Sequence, residues 1–379
     1  MNTKARRTAF VSIQQTHAVA CDGYHQLLVR TGYDSVIAHR LDEPFAFTAK
    51  KKGRVSSVSN TGIVVEYEDS TRQGFYLGRT FGNAQGLTVA HNVVTPLKAQ
   101  DTFDVGEPII YNDGFFEPDF FNPKQICWKN AVNVRTVLWE SVNTHEDSSS
   151  ISTKLASKLS TKVTKVKEVI INFDQVVSNL VRVGDHVEGD SVLCVIQDPF
   201  AASNTLYDQK SLDTLKMLSA QTPKANTKGV VERVEVYYHG HKEDMSDSIL
   251  EIVNKSDKEI KQRAISAGKK AFPAEVDSGF RIGGNPLNLD SIAIKIYITH
   301  DVVNGVGDKL VFSNQLKSVV GDRMESVMRS EDNREIDAQF GAKSLEARIV
   351  NSPFIIGTTA TLLKLVGANA AKIYRGEKV

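Results

Sequence analysis

Residues 291–300, Ser-Ile-Ala-Ile-Lys-Ile-Tyr-Ile-Thr-His, carry isoleucine at every second position. Side chains alternate across a strand and not along a helix. The run therefore predicts a strand with Ile292, Ile294, Ile296 and Ile298 on one face and Lys295 and Thr299 on the other. Much of the chain reads the same way, as short strands punctuated by turns. Residues 53–69 form two alternating strands around Asn60-Thr61-Gly62, a hairpin signal. Residues 101–110 and 181–196 share a pattern. The second reads strand, Gly184-Asp185 turn, short link, Gly189-Asp190 turn, strand. Glycine permits such tight reversals, and paired turns of this kind mark small barrel-like β modules. The expected fold class is mostly β with some α (α+β).

Three helices are expected. One begins near Asp147 and continues through residues 151–159, with Ile151, Leu155 and Leu159 at four-residue spacing. The second begins at Ser256, with Glu259 three residues on as a capping box, and stops near Gly268. The third runs from about Phe354 through residues 361–367, and Pro353 suits its first turn. Residues 202–228 are polar and loop-like. The pattern divides the chain into a β-rich body at 1–165, an excursion at 166–290, and a resumption of the body at 291–379.

Lys+Arg number 46 against 45 Asp+Glu, a net charge of +1. A chain that grips nucleic acid alone carries a strongly basic balance. This one either leaves nucleic acid alone or supplies a few local cations to a site shared with other chains. No uninterrupted apolar run reaches about 18 residues, so no transmembrane helix is expected. The N-terminal MNTKARRTAF lacks the apolar stretch of a secretory signal. Cys21, Cys127 and Cys194 are far apart, with no CxxC spacing. That argues against a zinc site and a disulfide framework, and fits a reducing cytoplasm.

Several motifs, in order, resemble the second half of the β subunit of bacterial multisubunit RNA polymerase. Gly307-Asp308-Lys309 through Leu316-Lys317 places two lysines eight residues apart, the spacing of the family's GDKxxxRHGNKG run. Trp139, Asn143 and the pair Glu146-Asp147 match a tryptophan, an asparagine and an acidic pair opening a helix. Glu346-Ala347-Arg348-Ile349-Val350-Asn351 matches an arginine preceding a helix. Further matches are Gln15-Thr16-His17-Ala18-Val19, Thr31-Gly32-Tyr33, Ala49 through Gly53, and Val183-Gly184-Asp185 through Gly189-Asp190. Their order is the family's order and spans nearly the whole chain. Departures occur too. The family's arginine, histidine and second glycine are Ser313, Asn314 and Ser318 here, and the arginine before His17 is Thr16. The chain begins where the family is midway and ends before its clamp-anchoring segment. That is similar to the split β-like subunits of giant (jumbo) bacteriophages.

The resemblance implies a double-psi β-barrel body with barrel-sandwich-like modules and a flap-like insertion at 166–290. It implies one subunit of a DNA-directed RNA polymerase, a nucleotidyltransferase inactive as a lone chain. The Mg²⁺-holding aspartates of the family, a DxDxD-type loop, sit on a β-prime-like partner, and no such loop occurs here. Lys309 and Lys317 would contact the RNA 3′ end and nucleotide phosphates, as compact ammonium charges can. Arg348 would grip the distal phosphates of the incoming nucleoside triphosphate. Glu146 and Asp147 would lie near the second, exchangeable metal. Asp147 before three serines is also a good helix N-cap. Implied partners are an N-terminal β-like chain, β-prime-like chains, a promoter-specificity subunit, template DNA and nascent RNA, with no membrane. The implied location is the cytoplasm of an infected bacterium, or the virion, and not a secreted protein.

Other readings stand beside this one. The replaced residues at Thr16, Ser313 and Asn314 suit a degenerate scaffold subunit that has lost substrate contact. The segment Val183–Leu193 suggests a barrel-sandwich carrier or adaptor module, although its turn holds no modifiable lysine. His239 and His241 share a face but lack an evident third ligand. Lys50, Lys51 and Lys52 read as a solvated charge run.

Overall fold

The computed structural model describes residues 20–84, 87–198, 220–313, 316–348 and 351–378. The match at Gln15–Val19, residues 202–219 of the polar segment, and Asn314, Ile349 and Val350 lie outside the described residues. Two compact units divide the chain. One comprises residues 1–50, 105–161 and 302–379, and the other residues 51–104 and 162–301. The described residues are mostly strands in several sheets, largely antiparallel, with few helices. No sheet among them closes into a barrel.

In the second unit the isoleucine-alternating strand, Ser291–Val302, pairs antiparallel with Gly229–His239 and neighbours Thr161–Asn172. Ile292, Ile294, Ile296 and Ile298 are all 0% exposed. They share a core with Val231 and Val236, and with Ile249 and Val253 of the helix Asp247–Ser266. The opposite face is covered as well. Tyr297 stacks on Phe81, and the Thr299 hydroxyl hydrogen-bonds that of Thr164 at 2.8 Å. A strand buried on both faces reads as nearly continuous apolar sequence, and only Lys295 breaks this run. The hairpin predicted at 53–69 forms from Gly53–Val58 and Gly62–Tyr67.

The helix expected from Ser256 begins instead at Asp247, and Ser256 lies in its interior. The apolar stripe decides this. Ile249 and Val253 are fully buried, so the core-facing turns start well before the capping-box pattern. The helix ends where expected, with Gly268 at φ 61° in the left-handed region.

In the first unit, β1 (Thr136–Leu138), β2 (Ser148–Ser152), β3 (Lys309–Phe312), β4 (Leu316–Met324) and β5 (Ala338–Phe340) form one sheet. Its order is β1-β5-β2-β4-β3. β1 runs parallel to β5 and β2 parallel to β4, whereas β2–β5 and β3–β4 are antiparallel. The helix predicted from Asp147 is therefore corrected. Residues 148–152 are the central strand, with Ser149, Ser150 and Ile151 buried. Pairing on both edges with distant segments overrides the local helix pattern. Only α1 (Thr153–Lys158) is helical there. Its N-cap is Ser152, whose hydroxyl accepts from the Leu155 amide at 3.1 Å. Gly321 of β4 lets the strands close, since a Cβ there would lie 2.1 Å from Ser148 Oγ.

Two further helices follow β5: α2 (Ala342–Ala347) and α3 (Ser352–Tyr374). Pro353 sits in the first turn of α3, as predicted, and the helix continues past Gly367 to Tyr374. By length and composition α3 meets the description of a membrane span, with mean hydropathy 1.4 and none of that window buried. That differs from the expectation of no such helix, because glycines, threonines and Lys364 interrupt the apolar run while its average stays high. Lys364 lies midway along α3, where a charge would cost about 2.5–3.5 kcal/mol in a bilayer centre.

Candidate functional site

The site is assembled on the β3–β4 ribbon. Lys309 lies opposite Val319, and Val311 opposite Lys317. Opposed residues in an antiparallel pair project to the same face, so Lys309 and Lys317 share a face at diagonal positions. The other face carries Leu316, Ser318 and Val320, all buried. An apolar back face and a lysine-bearing front face follow directly from the alternation in the two strands. Ser318, which replaces a family position, turns away from the lysine face. Ser313 opens the connection at φ 49°.

Asp147 immediately precedes β2. Its carbonyl accepts from the Val319 amide at 3.1 Å, extending the parallel β2–β4 pairing by one residue. This places Asp147 next to the lysine-bearing strand. Arg348 reaches the same place from the end of α2. Its Nη2 donates to Asp147 Oδ1 at 2.5 Å and to the Lys317 carbonyl at 3.0 Å. The Arg348 side chain is 25% exposed and that of Asp147 64% exposed. Arg348 Nη1 is buried and has no hydrogen-bond partner among the described residues.

Several contacts hold these pieces in place. The Ser344 hydroxyl in α2 donates to the Glu146 carbonyl. Glu140 Oε1 accepts from the Lys343 amide at 2.7 Å, and the Trp139 amide donates to the Phe340 carbonyl at 3.0 Å. The buried Thr144 hydroxyl donates to the Trp139 carbonyl at 2.6 Å and closes the loop on itself. Asn143 Nδ2 donates to Asp322 Oδ2 at 3.1 Å, tying the loop to β4. Glu146 is held at φ 54°, a conformation that costs a glutamate on the order of 1 kcal/mol and persists only where its surroundings impose it.

Asp147, Lys317 and Arg348 thus meet in space. Glu146 adjoins them, and Lys309 shares the ribbon face with Lys317. Contributors not singled out from sequence include Ser344, Gly321, Asp322 and Lys343. Ser344 gave no signal, being one serine in a short helix. Gly321 did give one, because a glycine inside an apolar alternating run marks close backbone approach.

Elsewhere the singled-out residues have local partners. His239 Nδ1 lies 3.1 Å from the Leu287 carbonyl. Lys51 pairs with Asp69, and Lys52 with Asp104 at 2.9 Å. No group of three His, Cys, Asp or Glu side chains able to hold a metal ion occurs among the described residues. Set against known proteins, the sequence matches no protein-family model and no curated protein.

Proposed function

We propose that this chain is a β-type subunit fragment of a multisubunit DNA-directed RNA polymerase, contributing phosphate and RNA 3′-end contacts to template-directed RNA synthesis. The observation that carries the reading is the meeting of Asp147, Lys317 and Arg348. Three separate stretches of sequence, each bearing a family-like motif, come together through the Arg348 guanidinium, which bonds the Asp147 carboxylate and the main-chain carbonyl of Lys317. Chance resemblance at three unrelated points gives no reason for the three to converge.

Nucleotide addition is phosphoryl transfer, in which catalysis is mostly positioning and charge stabilisation. Lys309 and Lys317 supply point charges for the RNA 3′ end and the nucleotide phosphates, and Arg348 supplies a planar fork for the distal phosphates. Glu146 and Asp147 are two exposed hard-oxygen donors. They suit a share in a magnesium ion held mainly by a β-prime-like chain, since Mg²⁺ keeps several waters and needs few carboxylates. When bound, that ion neutralises phosphate charge. The double-psi β-barrel belongs to the same proposal. The two parallel strand pairs, β1–β5 and β2–β4, within one sheet are compatible with it.

A second observation suits a subunit of a larger assembly. α3 is apolar around much of its surface and exposes Phe354, Ile355, Leu362 and Val366. The rest of the assembly would be an N-terminal β-like chain, β-prime-like chains and a promoter-specificity subunit, acting on DNA in an infected bacterium or carried in the virion.

The test is charge removal in the assembled enzyme. Lys309→Gln and Lys317→Gln are each expected to slow elongation about tenfold or more, equivalent to about 1.4 kcal/mol of transition-state stabilisation. Unchanged elongation in both would leave the scaffold reading, which the Arg348 bonds to Asp147 and to a main-chain carbonyl also suit.

A further inference from the structure

We infer that Asp147 is an intramolecular stand-in for a phosphate on Arg348, and that polyphosphate enters the site by displacing it. The inference rests on the polymerase reading of the site and adds to it a competition within the free chain. Arg348 Nη2 is engaged twice, by Asp147 Oδ1 at 2.5 Å and by the Lys317 carbonyl at 3.0 Å. The second partner is main chain within a paired strand and cannot leave. The first is a side chain 64% exposed, and its backbone is held independently through the Val319 amide. Rotating the Asp147 carboxylate into solvent therefore leaves the β2–β4 pairing intact.

A phosphate that engages Arg348 bidentately needs two N–H groups on one edge of the guanidinium. Nη1 is buried without a partner among the described residues, and Nη2 lies under the Asp147 carboxylate, so a phosphate reaches this edge only once Asp147 has moved. The carboxylate and the phosphate thus compete for one position, and both are anions. Displacement also releases Asp147 in the loop that carries Glu146. Arrival of the triphosphate and release of a metal-facing carboxylate are then one event. The free site is closed to weak anions and opens to a ligand with several phosphate oxygens. Lys309 and Lys317, on the adjoining ribbon face, would hold the rest of such a ligand.

The experiment titrates the full-length chain with inorganic triphosphate in a chelating buffer, following heat or a mobility shift. Asp147→Asn removes the competing charge and keeps the shape. Exposed ion pairs of this kind change affinities by up to about fivefold, and relief of anion repulsion adds to that. Asp147→Asn is expected to bind triphosphate about five- to tenfold more tightly than the native chain. Glu346→Gln, which removes an exposed carboxylate on α2, should change affinity less than twofold. Asp147→Ser must behave as Asp147→Asn, which guards against a folding artefact in either. Arg348→Gln is expected to abolish binding in both backgrounds. If Asp147→Asn and Glu346→Gln have equal effects, the competition is refuted while the phosphate site survives through Arg348. If Arg348→Gln binds as the native chain does, or neither the native chain nor Asp147→Asn binds, the phosphate site fails as well.

Discussion

Ile151 is the residue through which the first unit's core holds the site, and its truncation has a calculable effect. It is 0% exposed in β2 and packs among Leu155, Ala156, Val320 and Ala338, with Leu310 and Phe312 alongside. Ile151→Ala removes about three carbons, or roughly 2.4 kcal/mol of transfer free energy at about 0.8 kcal/mol each. A central strand bonded on both edges cannot collapse onto the space left, so a cavity term brings the expected loss to about 3–4 kcal/mol. Ile151→Val should cost only about 1 kcal/mol. Urea unfolding combined with hydrogen exchange of peptides covering residues 148–156 and 316–324 measures this. Protection in both peptides should fall together, because β2 and β4 are paired. β2 also positions Asp147, so the alanine variant should lose ordered contact between Asp147 and Arg348. A change below about 0.5 kcal/mol would refute the placement of residues 148–152 in a buried strand.

Three further outcomes are expected. Ser152→Ala removes the hydroxyl that caps α1 and should cost about 1 kcal/mol in denaturant unfolding. No loss would mean that the cap is not formed. Gly74→Ala should lower the melting temperature of the second unit by several degrees. Its Cβ would lie 1.7 Å from the Ala267 carbonyl, and overpacking against backbone costs about 2 kcal/mol or more. A native-like melting temperature would contradict the close approach of the helix end to the strand Arg72–Tyr76, which carries Gly74. Tyr237 and Tyr297 both donate to Glu235 Oε2, at 3.0 and 2.9 Å, and burial first, then the Glu235 charge, pushes both phenols above the ordinary range. The folded state therefore holds the neutral phenols more firmly than the unfolded state. Their contribution is intact below about pH 10 and is lost as pH rises through the shifted values. Phenolate absorbance should show tyrosines that titrate only on alkaline unfolding, and uniform titration near pH 10 would contradict it.

Strands were legible wherever a two-residue period ran uninterrupted, as in Ile292–Ile298 and the hairpin at 53–69. Single-residue punctuation was legible too, in Gly268 ending a helix and Pro353 opening one. The failures share one cause. Ile151, Leu155 and Leu159 fit helical spacing, yet only the last part of that segment is helical, because β4 and β5 claim residues 148–152 from far along the chain. Ser256 fits a capping box, yet Ile249 and Val253 had already committed the preceding turns to the core. In the site, the shared face of Lys309 and Lys317 follows from an even spacing around a single turn. The contact of Arg348 with Asp147 does not, since no local pattern relates residues 201 positions apart. It depends on parallel pairing of β2 with β4, and parallel strands are joined through long connections that spacing does not reveal.

The most direct measurement is mass spectrometry of the chains that copurify with this one, tagged and taken from its native source. Recovery of a chain carrying a DxDxD-type loop, together with an N-terminal β-like chain, is the predicted result. Recovery of this chain alone, as a stable monomer or homo-oligomer, would contradict the polymerase reading.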